Sequence, residues 1–376
     1  MPTAITGGRV LLGQGFDGFC DGIVVLTENG TISALLDESD TLPAHCEILD
    51  VGGRYVVPGF IDTQVNGGGG VLFNDAPTVE GIRAIAAAHR RFGTTALLPT
   101  LISDDLAVVD RALTAVTRAI REGVPGIVGI HLEGPFLASS RRGIHDAAHF
   151  RTMDMTAVEL LSRPTGGRTL VTLAPECVPR EFITALVERG VTVSLGHTDG
   201  TAAMASDAFG AGATGVTHLF NAMSPMTARE PGVVGASLNN KRCWCGVIAD
   251  GHHVSLGTLA VALAARPHSR FMLVSDAMPC VGSDQNHFML GDRRIEVQDG
   301  VCRSTDGTLA GSAVGLLTCI RNVAGHLVPL ATAFRMASEY PADFLGLGAT
   351  HGRIAPGYRA DLLAVAPTLD AAEVIG

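Results

Sequence analysis

Three residues of this chain have the chemistry to hold a metal, and a fourth has the chemistry to move a proton. Glu133 closes the apolar run Gly126-Ile-Val-Gly-Ile-His-Leu-Glu133, and Gly134-Pro135 then breaks the segment. His197 ends Val191-Thr-Val-Ser-Leu-Gly-His197, His218 ends Gly215-Val-Thr-His218, and Asp276 ends Val274-Ser-Asp276. One carboxylate and two imidazoles make a ligand set for a divalent cation. Three protein ligands leave a position open for water, which is how catalytic zinc sites differ from structural ones. Such a cation lowers the pKa of water towards about 7. An aspartate beside it takes the proton from that water and returns it to a leaving group. Singly, each residue is weak evidence: a lone buried histidine is more often structural, and a lone strand-end aspartate is more often a cap or turn former. The weight comes from four of them ending four segments of one repeating pattern.

That pattern is strand, loop, amphipathic helix, repeated from Pro58 onward. Strands are expected at 59–65, 94–100, 126–133, 169–174, 191–197, 214–219, 244–250 and 271–276. Helices are expected at 78–92, 104–122, 154–163, 179–189, 201–210 and 255–265. The interval between the sixth and seventh strands is rich in Asn, Gly and Pro and reads as a long loop. Eight strands in alternation predict an α/β fold, a (β/α)8 TIM-like barrel, whose chemistry sits at the C-terminal ends of the strands. A polar hairpin-like insert follows at 286–310, then helices at 312–325 and 329–337. Short strands before residue 57 and after residue 350 are expected to pair into a small β-sandwich domain (1–57 with 350–376), leaving 58–349 as the catalytic barrel.

Composition narrows the function classes. The chain has 376 residues, 47% of them apolar, with 27 Lys plus Arg against 37 Asp plus Glu and a net charge of −10. That balance argues against nucleic acid and against an anionic membrane surface as partners. No uncharged apolar run reaches the length of a membrane span, and the first residues lack the pattern of a secretory signal. The eight cysteines form no CxxC pair or dense framework, so free thiols and a cytoplasmic location are expected. Cys243 and Cys245, two apart in one strand, read as buried small hydrophobes and not as a metal clip.

The first strand carries Asp62-Thr-Gln-Val-Asn66, and strict alternation would put Asp62, Gln64 and Asn66 on one inward face. Polar side chains inside a barrel are costly unless satisfied there. The Gly67–Gly70 run that follows has no Lys-Ser/Thr after it and is not a phosphate cradle by spacing.

Pro58-Gly-Phe-Ile-Asp62, His131-Leu-Glu-Gly-Pro135, Gly196-His-Thr198, Thr217-His-Leu-Phe-Asn-Ala222, Ala249-Asp-Gly251 with His253, and Leu309-Ala-Gly-Ser312 together resemble the N-acetylglucosamine-6-phosphate deacetylase family of the amidohydrolase superfamily. The likeness runs in register from about residue 52 to 365. It implies metal-dependent hydrolysis of an acetamide on a sugar 6-phosphate. By position, Glu133, His197 and His218 match the family's metal ligands, Asp276 its acid/base, and His145 the residue that polarises the acetyl carbonyl. Asn221, Ala222, Arg229 and His253 match sugar and phosphate contacts, while Leu309 and Ala310 match a wall beside the acetyl methyl. His252 matches nothing and reads as a surface residue. The family's arginine at the position of Arg229 reaches into a neighbouring subunit's site, so a homodimer is implied. Many superfamily members carry His-x-His on strand one, where this chain has Gln64 and Asn66. Amides are poor zinc ligands compared with imidazole. One metal per subunit is therefore expected, zinc by default with Fe2+, Mn2+ or Co2+ fitting the same ligands. Gln64 and Asn66 are then hydrogen-bonders behind the site. The alternatives are the same reaction on N-acetylgalactosamine 6-phosphate, a cyclic amidohydrolase or nucleobase deaminase (disfavoured by the missing His-x-His), and an inactive sugar-phosphate sensor.

Overall fold

The computed structural model describes residues 1–12 and 18–376, and eight parallel strands at its centre hydrogen-bond in sequence order. They are Phe60–Val65, Thr94–Ile102, Gly129–Glu133, Arg168–Leu173, Thr192–Leu195, Gly215–Val216, Trp244–Val247 and Phe271–Leu273. The sheet closes on itself where the Asp276 amide donates to the Gln64 carbonyl at 3.0 Å and Val65 bridges Ala277. Helices connect the strands: α1 (Val79–Arg90), α2 (Leu106–Arg121), α3 (Met155–Leu161), α4 (Arg180–Glu188), α5 (Ala202–Gly210), α6 (Gly232–Asn239) and α7 (Leu256–Ala265), with α8 (Leu316–Val323) after the eighth strand. The strands are short, near-continuous apolar runs because helices or barrel interior cover both their faces. One large apolar cluster joins their outward residues (Val171, Val193, Val247, Leu273) to Ile82, Leu113, Leu186 and Ile320 on the helices.

The lower barrel is filled by Ile61, Leu98, Leu170 and Met272, against which Ala342 and Phe344 of a short helix α10 (Glu339–Phe344) pack as a plug. Before it runs α9 (Leu330–Met336), close to its expected place. The sequence pattern did not announce α10, because six residues containing a proline carry no measurable periodicity. Its Glu339 is held by Arg353, which also bonds Asp343.

Between the sixth and seventh strands the expected loop is corrected to a helix, α6. Glycine, valine and asparagine are weak helix formers. The helix exists because Val233, Val234 and Ser237 are buried, Pro231 stands at its start, and the Ser224 hydroxyl accepts from the Val233 amide.

Outside the barrel a four-stranded sheet (Thr31–Asp37, Ile23–Glu28, Thr3–Thr6, Glu47–Asp50) faces a five-stranded one. The second contains Tyr55–Pro58 and Arg9–Leu11 from the N-terminal part and Leu362–Val365 and Ala372–Val374 from the C-terminal part. Ile5, Val25 and Ile32 of the first meet Val10, Val56 and Leu362 of the second in one cluster. A further antiparallel sheet, His287–Leu290 through Leu309–Ser312, is inserted after the eighth strand and leans over the barrel mouth. Among the described residues no helix is long and apolar enough to cross a membrane, and the eight cysteines are free thiols.

Candidate active site

The C-terminal ends of the strands open into a cleft of about 350 Å³. Glu133, His197, His218 and Asp276 all line it, as do His145, Asn221, Ala222 and His253. His197, His218, Ala222 and Asp276 have φ of 47°, 34°, 49° and 52°, the left-handed region that non-glycine residues seldom occupy. The chain thus turns sharply at His197, His218 and Asp276, just beyond the ends of the fifth, sixth and eighth strands, where those side chains line the mouth. Such conformations cost about 1–3 kcal/mol each and persist where the surroundings enforce them.

Glu133 Oε1 lies 2.9 Å from His218 Nε2 and 3.2 Å from His197 Nε2, and the two nitrogens are 3.1 Å apart. A tetrahedral zinc with bonds of about 2.0–2.2 Å spaces neighbouring ligand atoms about 3.3–3.6 Å apart, so these three atoms, 2.9–3.2 Å from one another, come close to the dimensions of one face of a coordination shell. His197 Nδ1 sits 2.9 Å from the Arg141 carbonyl and must donate to it, which leaves the Nε2 lone pair aimed at its two neighbours. An oxygen and two nitrogens crowded in this way fit a shared cation. Burial works to raise the Glu133 pKa, but the hydrogen bonds and charges of His197 and His218 overcome it and hold the carboxyl well below its usual range. His218 is the counterpart: burial disfavours its cation, Glu133 outweighs that, and its pKa rises.

Asp276 faces the same space. Its Oδ1 accepts from Asn66 Nδ2 at 2.6 Å and from Gln64 Nε2 at 3.1 Å, and Gln64 Nε2 also reaches both Glu133 oxygens at 3.2 Å. Both amides therefore turn their nitrogens towards carboxylates and stand behind the triad. Burial first, and the charge of Glu133 second, push Asp276 up to about 6.

His145 packs its ring 4.3 Å from that of His197. Its Nδ1 accepts from the Ser103 amide at 3.3 Å, with the Ser103 hydroxyl at 2.8 Å. The proton of the neutral ring therefore sits on Nε2. Burial drives the His145 pKa well down, with the charge of His197 adding to it, so the ring stays neutral. His253 Nδ1 is 2.7 Å from Asp250 Oδ2, and Asn221 Nδ2 donates to the His218 carbonyl.

Two expectations are corrected here. Ala310 does not line the cleft: it is fully buried against Phe288, Ile295 and Cys302, and its neighbours Leu309 and Gly311 form the wall, because alternation along Leu309–Ser312 turns Ala310 to the other face. Asp62 does not share an inward face with Gln64 and Asn66. Register shifts where strand one meets strand two break the alternation, and Asp62 Oδ1 instead accepts the amides of Gln64 and Ser275. Burial lifts its pKa to about 7. Arg229 is exposed and is not among the residues lining the cleft. Sequence reasoning missed Ser103, which sets the His145 proton, and Arg141, whose carbonyl sets that of His197. Neither carries a signal in its own stretch of sequence.

The sequence matches the amidohydrolase family over residues 55–375. It is 45% identical to the N-acetylgalactosamine-6-phosphate deacetylase of Shewanella sp. (strain ANA-3), over 81% of this chain and 78% of that protein. It is 34% identical to the N-acetylglucosamine-6-phosphate deacetylase of Vibrio furnissii, over 92% and 87% respectively. The fold superposes on the crystal structure of N-acetylglucosamine-6-phosphate deacetylase from Pasteurella multocida with a TM-score of 0.95 at 30% identity, covering 100% of this chain and 98% of the other. With fold, site and sequence in agreement, this chain belongs to the amidohydrolase family.

Proposed function

We propose that the protein hydrolyses the N-acetyl group of N-acetylglucosamine 6-phosphate, giving glucosamine 6-phosphate and acetate. One observation carries the reading: a three-atom ligand set, a buried proton acceptor and a neutral imidazole donor share one cleft. Glu133, His197 and His218 would hold one divalent metal per subunit, by default zinc. Bound there it would supply Lewis acidity and a water deprotonated near neutral pH. The nitrogens of Gln64 and Asn66 face carboxylates, which supports their role as hydrogen-bonders and the count of one metal.

The chain's own residues do the rest. His145 Nε2–H donates to the acetyl oxygen as negative charge grows on it. Asp276 takes the proton of the attacking water and passes it to the amine nitrogen as the C–N bond breaks. The Asp250 carboxylate orients His253, and with both ring nitrogens protonated its Nε2–H would donate to the 6-phosphate beside Asn221 and the Ala222 backbone. Leu309, Met278 and Ile144 enclose the acyl end.

Asp276 must be ionised to accept a proton, so kcat/KM should fall tenfold per pH unit on the acid side of its pKa. That pKa is about 6 in the protein alone, and added positive charge at the triad moves it lower. A pH–rate profile with its acid limb at or below about pH 6 is expected; an acid limb centred well above pH 6 excludes this base.

Arg229, on an exposed loop with the exposed Met226, supports a homodimer in which it reaches the partner's phosphate site. Arg229→Ala should raise KM about tenfold or more with little change in kcat, since a charge-assisted hydrogen bond contributes about 1.5–3 kcal/mol. Mixed dimers of Arg229→Ala and Asp276→Asn protomers should regain one intact site, and a KM unaltered by the substitution would remove Arg229 from the site. The division into a barrel (58–349) and a small sandwich (1–57 with 350–376) belongs to the same reading, supported by the separate cluster around Val56 and Leu362. The free thiols throughout fit a reducing cytoplasm.

The Shewanella relative favours a second reading, the same reaction on N-acetylgalactosamine 6-phosphate. Comparing kcat/KM on the two epimers and on their unphosphorylated forms, with metal content measured on the same sample, tests both. Release of acetate from neither sugar phosphate overturns the proposal.

A further inference from the structure

Below the ligand triad, inside the barrel, lies a second cavity of about 10 Å³, bordered by Gln64, His131, Ser194, Thr217 and His218. By this measure it is the size of about one water molecule. The His218 ring borders both spaces, with Nε2 against Glu133 in the cleft. Its other nitrogen, Nδ1, is buried and has no hydrogen-bond partner among the described residues. If Nε2 offers its lone pair to a metal, Nδ1 carries the proton and needs an acceptor. The same need at His197 is met by the Arg141 carbonyl. At His218 the residue's own backbone lies near the ring but makes no hydrogen bond of normal geometry with Nδ1.

Two other groups have unused capacity at this cavity. A chain of side chains crosses the barrel interior: His131 Nε2 meets Thr172 Oγ1 at 2.7 Å, Thr172 meets Thr217 at 2.6 Å, and Thr217 donates to Ser194 Oγ at 2.9 Å. Each hydroxyl has one proton to give, so the donors run one way along the chain, and the Ser194 proton at its end has no acceptor among the described residues. Gln64 spends its amide nitrogen on Glu133 and Asp276, which leaves its Oε1 free to accept. Two donors and an acceptor therefore belong to residues that border one space, and that space fits a molecule with two lone pairs and two protons.

We propose that this cavity binds one structural water, which accepts from His218 Nδ1 and Ser194 Oγ, donates to Gln64 Oε1, and so positions His218 as a ligand. The inference rests on reading Glu133, His197 and His218 as the metal site. It makes Ser194 a positioning residue, acting through the water on an imidazole it does not touch.

The test uses the zinc-loaded enzyme, with Zn2+ affinity measured by chelator competition and a crystal structure of the wild type. Density for an ordered water is expected within about 2.7–3.2 Å of His218 Nδ1. Ser194→Ala leaves room for the water and should lower Zn2+ affinity only a few-fold. Ser194→Val fills the cavity, expels the water and strands the N–H, and should lower affinity 10–100-fold, the usual range for a group behind a metal ligand. A merely structural, dry cavity responds in the opposite way: valine fills it and Zn2+ affinity stays at the wild-type value. That result, or no density at Nδ1 in the zinc-loaded crystal, overturns the proposal, and the crystal decides alone if the valine variant fails to fold. If the wild type binds no zinc at the triad, the ligand reading fails separately, and density at Nδ1 still reports on the water.

Discussion

Asp276→Asn is expected to leave metal binding intact and lose roughly 10²–10⁴ in kcat, at the upper end because in the proposed reaction one carboxylate serves as base and then as acid. The substitution is nearly isosteric. An asparagine oxygen can still accept from Asn66 Nδ2 and Gln64 Nε2, now at 2.6 and 3.1 Å from Asp276 Oδ1, so the mouth of the barrel should not rearrange. What disappears is the ionisable oxygen, and with it the acid limb of the pH profile. Measuring kcat and metal content on one preparation separates the possibilities. A near-normal rate removes Asp276 from the chemistry, and loss of metal makes it a ligand.

Glu133→Gln should have the other large effect, through the metal. Glu133 supplies the one negative charge among the three donor atoms, with two imidazole nitrogens within 3.2 Å of its Oε1. An amide oxygen carries no charge and is a poor zinc ligand. The new amide nitrogen would also confront the Gln64 nitrogen, which now donates to both Glu133 oxygens at 3.2 Å. The variant is expected to come through dialysis against a weak chelator without metal and to show the residual rate of the metal-stripped wild type. His218, whose pKa Glu133 now raises, should titrate lower in the metal-free variant. A variant that holds a full equivalent of metal with wild-type affinity would show that Glu133 is not a ligand.

The elements that position these groups differ in how openly the sequence declares them. Strand three is an apolar run ended by Glu133 and Gly134-Pro135, and hydrophobic burial of such a run is enough to fix its type and end. Helices α1 and α2 declare themselves by periodicity and by flanking Thr78 and Asp105. Helix α6 does not, because its residues favour no helix and only the burial of Val233 and Val234 against the barrel makes one. Strand one misled for a related reason: alternation holds only while register is regular, and the shifts against strand two part Asp62 from Gln64. Ala310 was placed by likeness of a four-residue motif, and strand geometry gave the wall to its neighbours.

The identities and order of Glu133, His197, His218 and Asp276, each ending its own apolar segment, were determined by the sequence alone, because backbone burial and strand breakers act locally. The proton positions were decided only in three dimensions. His145 has its proton on Nε2 because Ser103, 42 residues away, offers its amide to Nδ1, and the His197 Nε2 lone pair faces Glu133 because the Arg141 carbonyl, 56 residues away, takes the other proton. Imidazole tautomers, like the pKa of Asp276, depend on what lies within a few ångströms, and in a closed barrel those neighbours come from distant strands.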